Sequence, residues 1–207
     1  MLNENLASDL EIIKSQSWVQ DGYCVTDSSP EFWEHPYDLV INDKTLRLCS
    51  THLESLVAEP PRRPGQLAAA AGFMREEYAS ILGGDLNAIQ PFDKSLHSEN
   101  GLKDAYIENG GIEDAESGMT WGQMVSKVES QQIGLSRMDK LLFCGSLVLE
   151  NFQTFGMDVQ LKDPNVAEML MQQDDLHRPW VTDHLGARGD FRLLSQERYR
   201  TKKEAQL

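Results

Sequence analysis

The segment Ile81-Leu82-Gly83-Gly84-Asp85-Leu86-Asn87-Ala88 is the point from which the rest of the chain can be read. Its apolar start predicts a short buried strand running straight into a loop, where the paired glycines let the backbone turn tightly. Asp85 and Asn87 stand two apart at the end of that strand. A carboxylate beside an amide suits phosphodiester hydrolysis: the carboxylate orients or deprotonates water, and the amide donates to a phosphate oxygen. The same residues also fit an ordinary turn, so the segment takes its meaning from its surroundings.

Upstream, Leu39-Val40-Ile41, a turn at Asn42-Asp43, and Leu46 and Leu48 alternating with Arg47 and Cys49 predict a hairpin. Its second strand runs into Ser50-Thr51-His52-Leu53-Glu54-Ser55. There His52 is placed to bind phosphate with Ser50 or Thr51 in support, or the same residues cap a helix with Glu54 closing a capping box. The last Pro of PPRRPG, Pro64, predicts the start of a helix that continues through Ser80, with Leu67, Ala70, Ala71 and Met74 on one side. Leu2, Leu6, Leu10 and Ile13 recur at helical spacing, and the prolines of SSPEFWEHP predict a loop before residue 37.

Downstream, Lys140–Cys144 and Leu147–Phe152 predict a second hairpin, and Asp190–Leu194 a closing strand. Asp139 opens the first of these strands, where it can orient a histidine or pair with Arg137 or Lys140. Asp183 and His184 join a metal-competent carboxylate to an imidazole that titrates near neutrality, or form a turn before the closing strand. Strands outnumber helices, which favours an α+β fold with a sheet-on-sheet core and helices outside.

Composition bounds the function. The 207 residues carry 33 Asp plus Glu against 19 Lys plus Arg, a net charge of −14. That balance argues against a broad basic face for non-specific nucleic-acid binding, though it leaves room for a narrow phosphate site. Arg188, Arg192, Arg198, Arg200, Lys202 and Lys203 make the C-terminal end locally basic. No apolar run is long enough for a membrane span, and no secretory leader is read at the start. Cys24, Cys49 and Cys144 read as reduced thiols, which predicts an intracellular location in nucleus or cytoplasm. The five histidines make no HExxH, no cysteine pair has zinc spacing, and P-loop, G-x-S-x-G and G-x-G-x-x-G motifs are absent.

In order, THLES (51–55), GGDLNA (83–88), GLKDAY (101–106), TWG (120–122), SRMDKLLF (136–143) and TDHLG (182–186) resemble the endonuclease/exonuclease/phosphatase, or DNase-I-like, family. THLES looks most like the tyrosyl-DNA-phosphodiesterase-like branch. The resemblance implies a two-layered β-sandwich flanked by helices and a Mg²⁺- (or Mn²⁺-) dependent phosphodiesterase or nuclease, with DNA 5′-phosphotyrosyl ends among the candidate substrates. It implies that Asp85 acts on the attacking water, that Asn87 binds phosphate, and that Asp139 orients His184. Asp183 would contact the metal, His52 and His184 the phosphate, and Arg137, Thr120 and Trp121 would lie in supporting or substrate-side positions.

The family also begins with a strand carrying a catalytic Asn and another ending in a metal-binding Glu, neither of which is read upstream of His52. Residues 1–36 therefore read as a helix-and-loop remnant, 37–195 as the domain, and 196–207 as a basic tail. With Asp183 the one clear metal carboxylate, the expectation is slow or no turnover, unless a residue such as Glu54 supplies a second ligand. A truncated, non-catalytic binding protein and a lipid or small-molecule phosphatase are the alternatives. Neither substrate nor oligomeric state is legible from the residues.

Overall fold

The computed structural model describes residues 37–194, apart from residue 56. The expected N-terminal helix and loop, and the basic tail, lie outside the described residues. Strand β1 (Tyr37–Ile41) turns into β2 (Lys44–His52). Asn42 and Asp43 both take positive φ, 51° and 61°, as a two-residue hairpin turn requires. Helix α1 (Arg63–Met74) follows with Pro64 in its first turn, then β3 (Ala79–Asp85). Short α2 (Leu96–Glu99), β4 (Lys103–Asp104), α3 (Ala105–Glu108) and α4 (Lys127–Ile133) lead to β5 (Asp139–Gly145). Then come β6 (Leu147–Phe155), α5 (Pro164–Gln173) and β7 (Gly186–Leu193).

The strands form two sheets, one of order β1-β2-β3-β5-β4 and one pairing β6 with β7. Only β2 and β3 run parallel, with α1 as their crossover. Period-two alternation sends the central strands of the larger sheet, β2, β3 and β5, into two interiors. Leu46, Leu48, Ala79 and Phe143 face the smaller sheet and pack with Leu147, Leu149, Phe152 and Phe191. Leu82, Leu142 and Cys144 face the other way, onto Leu67, Ala70, Ala71 and Met74 of α1. The result is the expected α+β sandwich with helices outside.

Several sequence expectations change. Gly83 and Gly84, expected in a tight turn after the strand, lie inside β3 and pair with β2 and β5. The closing strand begins at Gly186 rather than Asp190. Helix α1 ends at Met74, six residues before Ser80. Two of its last carbonyls, which no helical N–H can reach, are taken by distant side chains. Arg47 Nη1 donates to Phe73 O at 3.1 Å, and Ser80 Oγ donates to Met74 O at 2.6 Å from within β3. The second expected hairpin does not form either. β5 pairs with β3 and β4, whereas β6 pairs with β7, so Gly145-Ser146 is a corner between sheets. Gly145 has φ +79°, and a Cβ there would lie 2.5 Å from Tyr78 O. Ser146 N then donates to Tyr78 O, and Ser146 O accepts from Leu194 N, which fixes the crossing.

Candidate active site

One end of the larger sheet carries a row of three polar residues on its sandwich face. The parallel register sets His52 beside Asp85, and the antiparallel register sets Asp85 opposite Asp139. The row lies where β2 and β3 end and β5 begins, so loops rather than further strand cover it. His184 enters from the loop before β7, held against Trp121 by an isolated bridge. Residues 132 positions apart in the chain, His52 and His184, thus meet at the rim between the sheets.

The geometry is close. His184 Nδ1 donates to Asp139 Oδ2 at 2.7 Å, a pairing that assigns the tautomer and leaves Nε2 facing outward. That Nε2 lies 3.9 Å from Asp85 Oδ2 and 3.9 Å from Asp183 Oδ2. His52 Nε2 is 3.5 Å from the same Asp85 oxygen. The other oxygen, Oδ1, accepts from Asn87 N at 2.8 Å. Asn87 sits at φ 47°, a left-handed position that Asn tolerates, and its Nδ2 donates to Leu53 O at 2.9 Å. Asn87 therefore ties the loop after β3 to the end of β2, and its side chain is mostly buried. Asp139 N donates to Thr120 Oγ1 at 3.0 Å, and Trp121 Nε1 donates to Asp183 Oδ2 at 3.3 Å.

The electrostatics follow from this crowding. Burial pushes the Asp85 carboxyl above its ordinary range, and Asp139 opposite adds to the rise, against the hydrogen bond from Asn87. Burial pulls His184 down, but the hydrogen bond and charge of Asp139, with Asp85 and Asp183 behind it, outweigh burial and raise it. Two like charges opposite one another in a sheet are destabilising. The fold tolerates them here with imidazoles on either side.

All six expected site residues, His52, Asp85, Asn87, Asp139, Asp183 and His184, converge at this rim. The alternatives to several of them do not occur. Residues 50–52 finish β2 and residues 53–55 continue as irregular chain, so no helix is capped there. Arg137 and Lys140 turn away from Asp139, Arg137 to Asp104 and Glu113 and Lys140 to Glu113. Glu54, the suggested extra ligand, instead accepts from Arg62 Nη1 at 3.2 Å. The strands with the family's catalytic Asn and metal-binding Glu, which are not read upstream of His52, are not tested by the structure, because residues 1–36 lie outside the described residues. The indole bond to Asp183 is the contact that sequence reasoning missed; Trp121 stood out in the sequence, but its partner, 62 residues on, did not.

Among the described residues, Asp85, Asp139 and His184 have donor atoms within 4.8 Å of one another, a grouping able to hold a cation. Filling it would take Asp139 from His184 Nδ1, its 2.7 Å partner. Asp183 is a better-placed carboxylate, with its side chain 60% exposed on the open side of the imidazole. Carboxylates with one committed histidine, and no thiolate, suit a hard cation such as Mg²⁺ or Mn²⁺ rather than zinc.

Two solved structures of TDP2 from D. rerio match this architecture. One, complexed with single-strand DNA product, aligns with a TM-score of 0.54 and 18% identity over 75% of this chain and 59% of its own. The other, humanized by 14 mutations, aligns with a TM-score of 0.51 and 17% identity over 75% and 58%. The fold is DNase-I-like. The chain thus spans about three fifths of the length of these DNase-I-like structures. No family sequence model matches it, and no curated protein matches it by sequence. Within the DNase-I-like portion described, no helix is long and apolar enough to cross a membrane.

Proposed function

We propose that this chain is a phosphodiester hydrolase of the endonuclease/exonuclease/phosphatase type, dependent on Mg²⁺ or Mn²⁺. The observation that carries the reading is the row His52, Asp85, Asp139 closed by His184, four residues from three strands and a distant loop with their functional atoms a few ångströms apart. A half-buried cross-strand carboxylate pair contributes nothing evident to folding, whereas it fits general-base chemistry.

In this reading Asp85 takes a proton from the attacking water as the water oxygen bonds to phosphorus. The bond from phosphorus to the leaving oxygen then breaks. Asn87 N–H holds Asp85 Oδ1, so Oδ2 faces the water. His184, fixed through Nδ1 by Asp139 and favoured in its protonated form by the surrounding carboxylates, donates Nε2–H to a phosphate oxygen, and His52 flanks the same phosphate. Asn87 adds its second amide N–H to that contact. Asp183 would hold the divalent cation, which when bound offsets negative charge on the phosphate. Candidate substrates are phosphoester bonds at DNA ends, 5′-phosphotyrosyl ends among them. The DNA product in one fold relative and the THLES resemblance support that choice.

The test is turnover of bis-p-nitrophenyl phosphate and of a 5′-phosphotyrosyl oligonucleotide by the full chain across a Mg²⁺ titration. Metal-dependent turnover that disappears in Asp85→Asn is expected; failure on both substrates at millimolar Mg²⁺ would overturn hydrolysis. A second reading, phosphoester binding without turnover, draws on Asp183 being the one carboxylate of the described site outside the Asp85–Asp139 pair. It predicts bound but uncleaved oligonucleotide.

A further inference from the structure

We infer that Trp121 is a positioning residue, whose indole N–H fixes the Asp183 carboxylate in the orientation needed to hold a divalent cation. The inference rests on the proposed role of Asp183. That side chain is 60% exposed, and a carboxylate on an open loop has several rotamers available. A cation bound by few protein ligands depends on those ligands being held in place beforehand. Trp121 Nε1 donates to Asp183 Oδ2 at 3.3 Å, a long but directed hydrogen bond from a fixed indole to a carboxylate.

The donor itself is anchored. Trp121 is only 6% exposed and packs with Val125 and Met138. Its backbone N donates to Ser136 O at 3.0 Å and its O accepts from Ser136 N at 3.1 Å, two residues before Met138. On its other side it bridges His184, and Leu185 N donates to Thr120 O at 2.8 Å. The same dipeptide accepts Asp139 N through Thr120 Oγ1. Residues 120 and 121 therefore brace the loop bearing Asp183 and His184 against the strand bearing Asp139. The indole is the one side-chain bond this brace sends to Asp183. An ordinary core tryptophan would need its ring buried; it would not need its N–H aimed at an exposed carboxylate.

The experiment measures Mn²⁺ binding to the full chain by electron paramagnetic resonance of the free ion, for wild type, W121F, D183N and the double variant. Phe keeps the ring in the apolar cluster and removes only the donor. The expected result is a dissociation constant about tenfold weaker in W121F, at the lower edge of the range for lost supporting contacts. D183N should lose the site, and W121F should add nothing in the D183N background. Equal affinity of W121F and wild type, with D183N impaired, would overturn the role of Trp121 alone. Wild-type affinity in D183N would instead overturn the reading of Asp183 and the inference with it. A measurement that does not need W121F to fold is the set of indole N–H resonances of the wild type and D183N. One of them should move upfield when the carboxylate is lost, and an unchanged set would overturn the bond.

Discussion

The charged residues around β5 fall into two groups: Arg137 and Lys140 with Asp104 and Glu113, and Asp139 with Asp85 and His184. The first group is neutralised. Arg137 Nη1 meets Asp104 Oδ2 at 2.7 Å, Lys140 Nζ meets Glu113 Oε1 at 3.1 Å, and Arg137 also pairs with Glu113. Its members, apart from Glu113, are almost fully buried, so any imbalance would be costly. The second group is half-buried and unbalanced. Two carboxylates face each other with only imidazoles beside them, and no Lys or Arg reaches either within the described residues. Adjacent residues of β5, Asp139 and Lys140, thus belong to groups with two purposes. Where charge supports the fold it is cancelled, and where it remains uncancelled a site is the physical reason to keep it.

The comparison breaks first at Arg137. Arg137→Met should destabilise the chain by about 3 kcal/mol, since it strands the buried Asp104. Lys140, 4.0 Å from Asp104, keeps the loss at the lower end of the range for broken buried pairs. Urea unfolding measures it, and a loss below about 1 kcal/mol, typical of a surface pair, would remove the distinction between the groups. Asp85→Asn should do the reverse. It should leave stability unchanged or raise it by about 0.5 kcal/mol, because a like-charge opposition is relieved. At the same time it should lower phosphodiester turnover by about 10²–10⁴. Parallel unfolding curves and rates check both halves.

A smaller effect comes from α4, whose capping box joins Ser126 Oγ to Glu129 N and Glu129 to Ser126 N. Ser126→Ala should cost about 1 kcal/mol in unfolding free energy without changing turnover. The smallest is set by pH at the first hairpin. The hydrogen bond from Arg47 holds the Asp38 carboxyl below its ordinary value of 3.8, against the opposing effect of burial and with help from the Arg47 charge. A lowered carboxyl stabilises the fold above its unfolded pKa and stops doing so as pH falls through the folded one. With Asp38 side-chain exposure at 37%, the contribution is about a few tenths of a kcal/mol. The deficit of Asp38→Asn relative to wild type should therefore be present at pH 7 and shrink as pH falls below 3.8 and through the lowered folded value. A deficit that persisted in acid would mean that packing rather than charge holds the hairpin.

Local chemistry made much of this legible. Asn42-Asp43 between alternating apolar residues specifies a hairpin because few other residues accept consecutive positive φ. Pro64 opens α1 because its missing N–H would have no helical partner in any case. The site residues could be named because each closes or opens an apolar run, and strand ends are where a sheet exposes side chains to loops. Their spatial agreement was not visible in any one motif. Every motif had an equally ordinary reading as a turn, cap or surface pair, and only their order raised the site.

The sequence by itself determined most of the elements and which polar residues stand at their ends, since propensity, turn conformation and side-chain chemistry are properties of a few adjacent residues. Tertiary structure decided which elements became partners. Leu147–Phe155 lies two residues after β5 yet pairs with β7, because the interior between the sheets is filled from both sides only if the chain turns the corner at Gly145. Tertiary structure likewise ended α1 at Met74, through Arg47 and Ser80, and chose Asp104 rather than Asp139 for Arg137. It also brought an indole to Asp183 across 62 positions. In each case the competing local arrangement has similar energy, and the choice falls to desolvation and packing against residues remote in the chain, which no local window contains.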